Sequence, residues 1–188
     1  QSDMGVNARM LTFFYDGTSV RDLGTLPGYY HSIPTGINAS DQIAGNAGVD
    51  GWTTGTHAFL WTSGVMQDLG TLGGTYSCAT GINDAGQVVG KSTIVVNGSQ
   101  HAFLYDSSGM RDLGTLGGPA SYGGAINNLG QVVGDSDTGP GGTNSPHHLF
   151  VYSNGTMQDL NPRFLFTPPW DWFQASAIND RGQILIYG

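Results

Sequence analysis

Two short phrases alternate along this chain about every 45 residues, and self-similarity at that period marks a row or ring of like units. One phrase ends in an aromatic: HAFLW at 57–61 and HAFLY at 101–105, with weaker copies LTFFY at 11–15 and HLFVY at 148–152. Seven residues after each final aromatic stands an aspartate, giving Asp22, Asp68, Asp112 and Asp159 at steps of 46, 44 and 47. The other phrase reads GINASDQIAG at 36–45, GINDAGQVVG at 81–90, AINNLGQVVG at 125–134 and AINDRGQILI at 177–186. Its asparagines, Asn38, Asn83, Asn127 and Asn179, are spaced by 45, 44 and 52.

Within one period the apolar residues fall into four runs of about five, bounded by turn formers, which is strand length and too short for helices. In the second unit these runs are CATGI, QVVG, HAFLY and MRDLG. The links NDAG and DSSG supply Asn, Asp, Ser and Gly, residues that accept positive φ or hydrogen-bond their own backbone, so each predicts a tight hairpin. Four antiparallel strands in about 45 residues make one propeller blade.

Counting from the ends predicts an all-β, four-bladed β-propeller in a single domain over 1–188. Half a blade lies at 1–28, full blades at 29–74, 75–118 and 119–163, and half a blade at 164–188. Residues 175–187 would pair with 10–23 to make a composite blade and remove the sheet edges. Small residues before each asparagine, Gly36, Gly81, Ala125 and Ala177, suit a crowded axis and favour this phase over one that starts each blade at HAF.

Fourteen aspartates without a glutamate, and one lysine beside five arginines, leave the chain without the usual exposed helix formers. A formal charge of -8 argues against nucleic acid or an anionic membrane surface as partner, since both need a basic patch. No apolar run approaches a membrane span, and the lone Cys78 excludes an internal disulfide framework. The opening QSDMG, without an initiator Met, fits a secreted chain with its signal removed, as it would a trimmed one.

The HAFLW…DLGTLGG…GIN..GQVVG wording resembles the HAF family of predicted extracellular repeat proteins, on His57, Ala58, Phe59 and His101, Ala102, Phe103. The first unit departs with Leu11, Thr12, Phe13, and the fourth has His148, Leu149, Phe150 without the Gly-Thr-Leu-Gly-Gly tail. The resemblance implies secretion and a propeller-like repeat, and no activity.

A residue repeated in every unit answers a need of every unit. Asp22, Asp68, Asp112 and Asp159 are therefore expected to hydrogen-bond the turns that follow them, and Asn38, Asn83, Asn127 and Asn179 to hold hairpins. His57, His101 and His148 lie on the third strand, away from the axis, and are expected to be structural rather than a metal ring. Asp135, Asp137 and Asn144 in DSDTGPGGTN resemble the start of a calcium loop but lack its closing Glu, so this stretch reads as a plain inter-strand loop. No G-x-S-x-G, carboxylate pair or Walker-type loop occurs, which predicts neither an enzyme nor a cofactor. Sequons stand at Asn38, Asn97 and Asn154.

Symmetry breaks in NPRFLFTPPWDWF at 161–173, where Phe164, Phe166, Trp170, Trp172 and Phe173 form either a contact surface or a lid over one end. Tyr29, Tyr30 and Trp52 lie on other irregular connections. Two functions follow: a secreted structural or interaction module that self-assembles into filaments by strand sharing, or a glycan-binding propeller whose aromatics stack on sugars.

Overall fold

The computed structural model describes residues 9–49, 55–95, 98–140, 146–165 and 173–188. It is all-β, and three four-stranded antiparallel sheets follow one another along the chain. The first holds β3 (His31–Ile37), β4 (Ile43–Gly48), β5 (His57–Thr62) and β6 (Val65–Asp68). The second holds β7 (Gly73–Ile82), β8 (Val88–Ile94), β9 (Gln100–Asp106) and β10 (Gly109–Asp112), and the third β11 (Ser121–Ile126), β12 (Val132–Asp137), β13 (His147–Ser153) and β14 (Thr156–Asp159). A hairpin of β1 (Phe13–Tyr15) and β2 (Val20–Asp22) precedes them, and a hairpin of β15 (Gln174–Ile178) and β16 (Ile184–Tyr187) follows.

Strand alternation explains how one motif joins two neighbours. In the Gln-Val-Val-Gly strand of the second sheet, Val88 packs with Ala44 and Leu60 of the first sheet, while Val89 packs with Val132 and Phe150 of the third. Adjacent residues on a strand point to opposite faces, so consecutive valines serve both boundaries. Val132 and Val133 repeat the arrangement one unit on.

The HAF tripeptide has a physical account, residue by residue. The phenylalanine lies against the glycine of the neighbouring strand: Gly45 pairs Phe59, Gly90 pairs Phe103 and Gly134 pairs Phe150, and all three rings are fully buried. A Cβ on Gly45 would fall 2.5 Å from Phe59 Cζ, and one on Gly134 2.8 Å from Phe150 Cζ. Ala58 and Ala102 are also fully buried, at the boundary with the next unit. The histidine lies opposite the repeated aspartate, with Nδ1 to Oδ2 distances of 2.8 Å for His57–Asp68, 2.9 Å for His101–Asp112 and 2.7 Å for His148–Asp159.

The composite blade expected from the ends is not confirmed. Among the described residues no ladder joins the terminal hairpins, and each stands as its own two-stranded sheet. In β16, Ile186 occupies the place of the glycine and pairs Ala175. Its side chain packs beside Val133, Leu149 and Ala175, filling with an aliphatic the space that a neighbouring Phe fills elsewhere. A correction concerns 135–144: Asp135 and Asp137 belong to β12, so the strand runs into what reads as a loop, and Asn144 lies outside the described residues.

Candidate functional site

Each seam between units carries the same locks. The repeated aspartate accepts the amide two residues on: Gly24 to Asp22 (2.9 Å), Gly70 to Asp68 (2.8 Å), Gly114 to Asp112 (2.7 Å) and Asn161 to Asp159 (2.9 Å). That bond turns the chain toward the next unit, where buried Ser77 accepts from the Ala58 amide (2.9 Å) and donates to the Gly70 carbonyl (2.6 Å). Ser32 and Ser121 do the same in their units, whereas in the fourth Asn161 Oδ1 takes the Leu149 amide. The serines escaped sequence reading because they lie outside both phrases; their regular offset from the aspartates was the available signal.

The asparagines both cap and staple. Asn83 Oδ1 accepts from the amides of Ala85 and Gln87, and its Nδ2 donates to Gln87 Oε1 and to the carbonyl of Asn127 in the next unit. Asn38 reaches Asn83, and Asn127 reaches Asn179, in the same way. Asn38, Asn83 and Asn127 are buried, while Asn179, which holds its own hairpin through Gln183, is exposed.

The residue after the strand-two glycine differs from unit to unit. Following the strand-two glycine come Asn46, Lys91, Asp135 and, after Ile186, Tyr187. Asn46 closes its seam, with Oδ1 accepting from the Ala79 amide (2.7 Å) and Nδ2 donating to the Ala79 carbonyl (3.1 Å). At the next seam Thr80 Oγ1 donates to the Gly123 carbonyl (2.8 Å), and beside it a cleft of ≈ 460 Å³ opens, bordered by Lys91, Tyr122, Asp135, His147, Phe173 and Gln174.

The cleft lining mixes the aromatic rings of Tyr122 and Phe173 with the charged and polar side chains of Lys91, Asp135 and His147. Lys91 Nζ lies 4.9 Å from the centre of the Tyr122 ring, within cation–π range. Burial pushes the Asp135 carboxyl up to about 6; His147 pulls it down, Asp137 raises it further and Lys91 lowers it. Burial also raises the Tyr122 phenol, with the Asp137 and Asp135 charges acting in the same direction. His147 Nδ1 lies 3.1 Å from Asp137 Oδ1, at ion-pair distance but out of line for a hydrogen bond, so that buried oxygen has no aligned donor. The ionised carboxylate accepts hydrogen bonds, and beside an imidazole and the Gln174 amide it suits hydroxyl-rich ligands.

Of the aromatic candidates, Phe173 reaches the cleft and packs in a stacked pair with Phe164, ring centres 5.1 Å apart, at the edge of the core. Tyr29 packs against the His57 ring at 5.6 Å, and Tyr30 lies under the Arg9 guanidinium at 5.7 Å, both at the first sheet and apart from the cleft. Trp52, Phe166, Trp170 and Trp172 lie outside the described residues, as does the Asn97 sequon. Asn154 sits at the tip of the β13–β14 hairpin, exposed and with φ 52°. Among the described residues no group of three or more His, Cys, Asp or Glu side chains could hold a metal ion.

Neither the curated proteins nor the solved structures contain a match to this chain. Residues 65–187 match a family described as "Protein of unknown function (DUF3466)", a description that carries no HAF name and states no activity. Because the match covers well over half of the chain, from β6 to β16, the protein belongs to the DUF3466 family.

Proposed function

We propose that this protein is a secreted, non-catalytic interaction module: a run of propeller-type units that presents a glycan-binding cleft at its later seams. The observation that carries the reading is the residue that follows the strand-two glycine. Asn46 there seals its seam, whereas Lys91 and Asp135 border an open cleft together with Tyr122, His147 and Phe173. Aromatic faces that stack on sugar rings, with carboxyl, imidazole and amide groups for the hydroxyls, are the chemistry of a carbohydrate site.

Screening the purified protein on a glycan array and on insoluble polysaccharides tests this. Retention is expected, with Tyr122→Ala weakening it at least tenfold and Tyr30→Ala leaving it unchanged. No retention at high protein concentration, or equal loss in both variants, would overturn the reading. Filament formation by strand sharing has the free terminal edges in its favour and Ile186 against it.

A further inference from the structure

We propose that the groove between the turns of the second and third sheets is a binding site for a small organic acid with an apolar body, whose carboxylate is received by Arg111 and the Tyr152 hydroxyl. The inference stands independently of the glycan cleft, which shares no lining residue with this groove.

The two seams that flank the second sheet differ at one pair of equivalent positions. On the last strand of each sheet Gln67 lies opposite Leu60, and Arg111 opposite Leu104. On the strand before, Tyr105 lies opposite Met110, and Tyr152 opposite Met157. Between the first and second sheets Gln67 Nε2 donates to the Tyr105 hydroxyl at 2.8 Å, a bond that spans the seam. Between the second and third, Arg111 takes the place of that glutamine, and its guanidinium lies 3.5 Å from Asp106 Oδ2 in its own sheet, beyond the usual hydrogen-bond range. The Tyr152 hydroxyl is left without a partner among the described residues, although Tyr152 is only 8% exposed.

Where the bridging bond is missing, a groove of ≈ 580 Å³ opens, within the range of small-molecule sites. Turns of both sheets wall it, at 85–87 and 128–130, and Arg111 and Tyr152 both line it. Every side chain from which it is built lies among the described residues.

The groups on offer are donors. Arg111 presents a planar fork of N–H groups with one long contact, and the Tyr152 O–H is uncommitted; a carboxylate matches both. Asp106, the carboxylate in the lining, is engaged elsewhere: its Oδ1 accepts from the hydroxyl and the amide of Ser108, and these bonds hold its carboxyl below the ordinary range. Exposed Leu129 gives the apolar body of a ligand a surface to lie on. A chain with a formal charge of -8 has no long-range pull on an anion, so affinity rests on these short contacts and falls in the millimolar range.

Titrating benzoate, and benzyl alcohol as its uncharged counterpart, into the isotope-labelled full chain at constant ionic strength tests the proposal by NMR. The Arg111 Nε–H and the amides of Gly86, Gly130 and Gly155 are the reporters. Benzoate should shift them, and benzyl alcohol should bind at least about tenfold more weakly. Arg111→Gln should reproduce the closure made by Gln67 and abolish the shifts at the three glycines. Tyr152→Phe, which keeps the ring in the core, should weaken benzoate binding about threefold to tenfold. Arg21→Gln, at the equivalent position of β2, should leave it unchanged. No benzoate-dependent shift at about 20 mM, equal affinity for benzyl alcohol, or full binding by the Arg111→Gln protein would each overturn the proposal.

Discussion

Asn83 donates from Nδ2 to the main-chain carbonyl of Asn127, 44 residues further on, at 3.0 Å. The same side chain holds two amides of its own hairpin, so one residue secures a turn and fastens it to its neighbour. Replacing it with Ala orphans a buried carbonyl and two turn amides, and should cost about 1–3 kcal/mol. Asn179→Ala, at the exposed end of the ladder, should cost about 1 kcal/mol or less. Urea unfolding of both variants checks the ordering; equal losses would deny the inter-unit bond its share.

Gly45→Ala should destabilise by about 1–3 kcal/mol, because the added Cβ meets the Ile33 carbonyl oxygen and, at 2.5 Å, the Phe59 ring. Combining it with Phe59→Leu should cost less than the sum of the two single changes, since the smaller side chain removes the ring's part of the collision while the carbonyl's part remains. An additive double variant would mean that the ring and the glycine are not coupled.

Asp135 should make stability fall as pH rises. Its carboxyl titrates at about 6 in the folded chain against an ordinary value of 3.8, so the folded state holds the extra proton between those values. The folded form is therefore favoured below about pH 4, and that advantage is lost as pH climbs through 6. With the side chain only 15% exposed, the span is on the order of 2–3 kcal/mol. Asp135→Asn should flatten this part of the profile, read as the difference in urea midpoint between variant and parent from pH 4 to 7.

In a host that attaches N-glycans, Asn154 should be modified and Asn38 should not. Asn154 stands at an exposed hairpin tip, whereas Asn38 is 8% exposed and its amide donates to Gln42 and Asn83. Peptide mass spectrometry gives the occupancy at each; modification at Asn38 would show that the hairpin forms late enough to be intercepted.

The strands were legible because the period and the turn residues agree: Ala79–Ile82, Val88–Gly90, His101–Tyr105 and Met110–Asp112 all fall where the apolar runs place them. The histidine–aspartate pairs lie 11 residues apart and could have been found by laying the HAF strand against the one after it, since a tight hairpin fixes that register. The cleft was not legible. Its side chains occupy a position where Asn46, Lys91 and Asp135 share no chemistry, and Asp135 and Asp137 read as loop because aspartates are uncommon in strands.

The two-faced valine pair has a consequence for how such a chain can change its length. Since Val88 meets the unit before and Val89 the unit after, an internal segment of about 45 residues carries a mating surface for each side and needs no partner made to measure. A tandem duplication within the gene would insert a piece that already fits both of its new neighbours, and a deletion would bring together two surfaces of matching kind. Variation in the number of units then meets little resistance from packing, and the residues free to diverge afterwards are those, like Lys91 and Asp135, on which the joint does not depend.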